Sequence, residues 1–161
     1  MIGYARSLFE RHRVVFIDTN LFILLLVGLV DPTKISDFKR TRGFTVSDWR
    51  NLTALLERAH SVQVTQNVVT ETDNLVRQLP DEHHRKLSGI LKFLFESWIE
   101  IYKPGKEFFG SELHARFGLT DATLVRLSLE GLVLTTDVKL AGKIESVGGA
   151  TFNINHLNVL R

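Results

Sequence analysis

The stretch "VVFIDTNLFILLLVGLV", from Val14 to Val30, constrains this chain more than any other. Val14 to Ile17 is a continuous apolar run rich in β-branched residues, which predicts a strand buried on both faces. It runs into Asp18, Thr19 and Asn20, and then into the nearly all-apolar Leu21 to Val30. Asp18 and Asn20 are natural helix-start residues, so the second run predicts a buried helix. Asp31-Pro32 stops it. A carboxylate between two core elements is expensive unless something pairs with it. Preceded by the basic "ERHR", the same segment also resembles the apolar region of a signal peptide. It is shorter than the roughly 20 apolar residues that span a bilayer. Extending it toward the N-terminus brings in Asp18 and Asn20, and "DPTK" follows where a small-residue cleavage site would stand. Core is therefore the reading, with no membrane partner expected and a signal anchor as the minority view.

The rest of the chain alternates strand and helix patterns. Ser47 is expected to cap a helix over residues 48–60, and "SVQVTQ" alternates as a short strand. "NVVTETDNLVRQL" reads as a helix ending at Pro80, and "DEHHRKLSGILKFLFESW" as another. "IEIYK" fits either a short strand or a helix tail. "SELHARF" is a short helix closed by Gly118, and Thr120 caps "DATLVRLSLEG", closed by Gly131. "LVLTT" is a buried strand, Asp137 opens the helix "VKLAGKIESVGG", and "ATFNI" is a last strand. This pattern predicts a single α/β domain over residues 1–161. Right-handed crossovers make it a three-layer α/β/α sandwich with a central, mainly parallel sheet.

In such folds ligands bind at the carboxyl ends of the strands, and four acids fall at those junctions. Asp18 ends the first strand, Glu71 sits early in the helix after the second, Asp121 opens a later helix, and Asp137 follows "LVLTT". Taken singly, Asp121 and Asp137 are ordinary helix caps. Gathered at one edge, four carboxylates repel, and their pKa values rise unless a cation neutralises them. Hard oxygen ligands suit Mg²⁺ or Mn²⁺. Two such ions would serve in-line displacement at a phosphodiester. The chain has no cysteine, which excludes disulfides, thiolate metal sites and cysteine nucleophiles and fits a reducing, cytoplasmic setting. An Asn at position 20 excludes the second Asp that a haloacid-dehalogenase phosphatase needs, and no Walker A loop is present. The adjacent His83 and His84 point about 100° apart on a helix, so they are read as solvated rather than as ligands.

The segments "VVFIDTNLFILLL", "VTQNVVTETDNLV" and "GLTDATLVRLSLEGLVLTTDVKLA" together resemble the PIN domain, a metal-dependent ribonuclease fold that includes many toxins of toxin–antitoxin pairs. The resemblance spans most of the chain from Val14 to Ile154. It implies that Asp18, Glu71, Asp121 and Asp137 bind the metal, that Asn20 supports the first Asp, and that Thr136 supports the last. It further implies an RNA substrate, cleavage leaving 5′-phosphate and 3′-hydroxyl ends, an antitoxin partner, and a homodimer. Many members carry a further acid near the last Asp, where this chain has Val138 and Lys139.

Net charge is only +2, so clusters matter more than the total. Lys39, Arg40 and Arg42 are interleaved with Phe38, Phe44 and Trp49, which predicts phosphate contacts beside base-stacking aromatics. The alternative is a solvated loop whose aromatics tuck into the core. Trp98, Phe93 and Phe95 give a later helix an apolar excess that suits an interface or the core. A non-catalytic RNA-binding or scaffold protein of the same fold is the rival to the ribonuclease.

Overall fold

In the computed structural model, which describes residues 2–157, the strand-forming runs assemble into one sheet. Its strands are β1 (Val14–Ile17), β2 (Ser61–Thr65), β3 (Ile99–Ile101), β4 (Leu132–Thr135) and β5 (Ala150–Asn153). Their order is β3-β2-β1-β4-β5, and every neighbouring pair is parallel. The chain therefore starts in the centre, builds outward through β2 and β3, and returns to build outward on the other side. The reversal point lies between β1 and β4, where Phe16 pairs with Val133. Helices α1 (Ile2–Arg11), α2 (Thr19–Val30), α3 (Val46–Leu56), α4 (Gln66–Val76), α5 (His84–Leu94), α6 (Glu112–Leu127) and α7 (Val138–Ser146) complete an α/β/α arrangement.

The apolar run after Asp18 is helix α2, and ten of its twelve residues are buried. It packs against α3, α4 and α5, so it needs apolar side chains around its whole circumference. Gly28 permits a close approach of α3: a Cβ there would stand 2.4 Å from the Trp49 indole. Among the described residues, no helix is long and apolar enough to cross a membrane.

Several local expectations shift. Thr45, not Ser47, caps α3, because Asp48 at the third helical position reaches back to the Thr45 backbone and closes a capping box. The segment after Pro80 begins as a 3-10 turn (Asp81–His83) before α5. That turn tucks in the two histidines expected to be solvated. The His83 side chain is only 15% exposed, and His84 Nε2 lies 3.0 Å from the Leu79 carbonyl. "IEI" is an edge strand paired to β2. The chain breaks as expected at Gly118, whose φ of 79° and ψ of 175° interrupt α6. Helix α1 has no counterpart in the sequence reading; its Leu8 and Phe9 join the core.

Candidate functional site

Asp18 leaves the end of β1 and caps α2, its Oδ1 accepting the Leu21 N–H at 2.8 Å. Its other oxygen accepts the hydroxyl hydrogen of Thr135, the last residue of β4. Only 4% of Asp18 is exposed. Burial pushes its pKa up to about 6; the bonds from Thr135, Leu21 and the Thr136 backbone oppose the shift, and the Asp137 charge adds to it. The Thr135 oxygen also accepts the Asp137 N–H at 2.9 Å. One hydroxyl thus ties together the ends of the two strands at the reversal point. The sequence reading gave a supporting role to Thr136. Neighbouring strand residues face opposite ways, and Thr135 is the one turned toward Asp18. Thr136 contributes its backbone, its carbonyl accepting from Asn155 Nδ2 at 3.2 Å.

Asp137 caps α7, its Oδ1 accepting the Lys139 and Leu140 N–H groups at 2.7 and 3.0 Å. Glu71, exposed on α4, accepts the Thr19 hydroxyl at 2.9 Å. Asp121 stands on the second segment of α6, just past the Gly118 break. It has no hydrogen-bond donor among the described residues. Burial and then the charges of Asp137, Asp18 and Glu71 raise its pKa to about 6. These four acids, with Thr19, Asn20 and Leu140, line one cleft of about 160 Å³. Among the described residues, no lysine or arginine lines it. Asn20 sits at its exposed edge, and the polar neighbour that grips an acid is Thr19.

By type the donor set suits a hard divalent cation: four carboxylates, two with raised pKa values, and no lysine or arginine among the described residues that line the cleft. As placed, no three acids among the described residues stand close enough to share one ion. Glu71 is turned to Thr19, and Asp137 to the backbone of its own helix.

A second cleft, of about 660 Å³, shares Asp121 and Asp137 with the first. Arg116 and Phe117 of α6 and Lys139 and Lys143 of α7 also line it. The sequence reading passed over these cations. Their available signal was the four-residue spacing of Lys139 and Lys143, directly after Asp137, which puts both on one helix face. Lys39, Arg40 and Arg42 line neither cleft. They follow the C-terminal end of α2, a helix about 18 Å long whose other end is the site. Phe38 is buried, and Phe44 and Trp49 are partly buried against the core.

No family model, curated protein or solved structure matches this chain.

Proposed function

We propose that this protein is a metal-dependent endoribonuclease that hydrolyses RNA phosphodiester bonds. The observation that carries the reading is Asp121: a partly buried carboxylate that, among the described residues, has no donor and shares its cleft with three other acids and no cation. Such a group is costly to ionise, and a bound divalent ion would remove the cost. Asp18, Glu71, Asp121 and Asp137 would hold Mg²⁺ or Mn²⁺. Such an ion, when bound, supplies positive charge to phosphate oxygens and makes water acidic enough to act as nucleophile near neutral pH. The chain's own residues fix the carboxylates. Thr135 and the Leu21 N–H clamp Asp18, and the Thr19 hydroxyl holds Glu71. The buried face of α2 keeps water from the inner side of the cleft.

The resemblance to PIN domains favours RNA as substrate and the role of toxin in a toxin–antitoxin pair. An antitoxin partner, a homodimer and a cytoplasmic location belong to the same reading. The rival is a non-catalytic RNA-binding scaffold. It draws on the separation of the acids as placed, and on Val138 and Lys139 standing where a further acid often does. Cleavage of total RNA by the purified protein with Mn²⁺, Mg²⁺ or EDTA separates the two. Discrete metal-dependent fragments that vanish in Asp121→Asn are expected. Cleavage that persists in Asp121→Asn, or none in wild type freed of co-purified protein, would sink the nuclease.

A further inference from the structure

The cleft beside the carboxylates has its own charge and shape. Arg116, Lys139 and Lys143 converge on it, and none of the three forms an ion pair with an acid among the described residues. Asp121 and Asp137 line the same cleft, so its three cations outnumber its acids by one. The Arg116 guanidinium stands over the Phe117 ring, 5.5 Å from its centroid, so a cation and an aromatic ring lie together in the cleft lining. Gly142 lies inside α7 between the two lysines, where glycine is a poorer helix former than alanine. Packing does not demand it, since a Cβ there would meet nothing within 4 Å. A side chain at this position would stand in the cleft.

We propose that this cleft carries a single RNA strand into the carboxylate site. Arg116, Lys139 and Lys143 contact its phosphates, Phe117 stacks beneath a base, and Gly142 leaves the floor open. At about 660 Å³ the cleft has the dimensions of a small-molecule pocket, which admits a strand. A duplex needs a broad face of roughly 600–1,000 Å² even for a single small module. The inference rests on the carboxylate cleft being a nucleic-acid site, but it is tested by binding in EDTA, where hydrolysis plays no part.

The measurement is fluorescence anisotropy of a short labelled single-stranded RNA across a salt series. Each phosphate contact to a single strand contributes about 0.7 to the slope of log affinity against log salt, or about fivefold in affinity near 0.1 M. Lys139→Ala/Lys143→Ala should therefore bind about 25-fold more weakly, with the slope reduced by about 1.4. Phe117→Ala should lose about fivefold or more with its slope unchanged, because stacking is not a counterion effect. Gly142→Glu, which suits a helix better than glycine, should weaken binding while leaving thermal stability intact. Removing the same charge elsewhere, in Arg58→Ala/Lys92→Ala, should leave the slope as it was. Equal affinity of wild type and the double lysine variant would overturn the proposal. So would duplex RNA binding as tightly as the single strand, or a larger loss in Lys39→Ala/Arg40→Ala/Arg42→Ala. Weakened binding in the cleft variants without any metal-dependent cleavage would keep the strand track and remove the hydrolase. Metal-dependent cleavage with unaltered binding would do the reverse.

Discussion

Asp121→Asn is the substitution that separates a metal site from a set of helix caps. In the folded protein the Asp121 carboxyl is raised from 3.8 to about 6, first by burial and then by the charges of Asp137, Asp18 and Glu71. A shift of that size corresponds to about 3 kcal/mol, at 1.36 kcal/mol per pH unit. Asp121 is partly exposed, so solvent screening cuts this to about 1–2 kcal/mol. The direction follows from proton binding. Between pH 3.8 and about 6 the folded state holds the proton that the unfolded chain has lost. Stability therefore falls as pH rises through that window, and stays lowered above it. Asparagine is never ionised and breaks no hydrogen bond made by Asp121. In EDTA at about pH 8 the variant should melt roughly 2–8 °C above wild type, and near pH 4 the difference should close. Mn²⁺ should reverse the ranking. Wild type gains about 2.7 kcal/mol at a hundredfold excess over the dissociation constant, and the variant gains less. Differential scanning calorimetry across pH, with and without Mn²⁺, reads all of this. A variant no more stable than wild type at high pH, or a gain independent of pH, would refute the electrostatic account of the cleft.

Two further substitutions test how the site is held. Thr135→Val removes the hydroxyl that donates to Asp18 and accepts from Asp137, and should cost about 1–3 kcal/mol in chemical denaturation, with Asp18 pushed to a still higher pKa. Thr136→Val keeps both bonds and should cost far less; equal losses would mean that the Thr135 bridge does not matter. Gly28→Ala forces a Cβ to 2.4 Å from the Trp49 ring and should destabilise by about 1–3 kcal/mol despite the better helix propensity, with a changed tryptophan emission spectrum. A neutral or stabilising result would mean that α3 is free to move away from α2.

What the sequence determined by itself was local. An apolar run ending in Asp18 specifies a strand that gives way to a capped helix, because the side chain need only reach an N–H three residues on. Asp137 opening α7, the break at Gly118 and the strand-helix alternation are legible for the same reason: each is settled within a turn or two of chain. The parallel sheet followed from that alternation through the crossover rule. Tertiary structure alone decided the order β3-β2-β1-β4-β5, which sets β4 against β1 and brings Thr135 to Asp18 across 117 positions of chain, with Asp137 beside it. It chose Thr135 over Thr136, because the pairing of β4 with β1 decides which of two adjacent hydroxyls faces Asp18. It buried Phe38, packed Phe44 and Trp49 against the core, and left Lys39, Arg40 and Arg42 outside both clefts. It set Arg116 opposite Lys139 and Lys143, since the packing of α6 on α7 depends on apolar surfaces far from either in sequence. Caps and periodicity are written in neighbouring residues, whereas a cleft belongs to elements that meet only when the whole core closes.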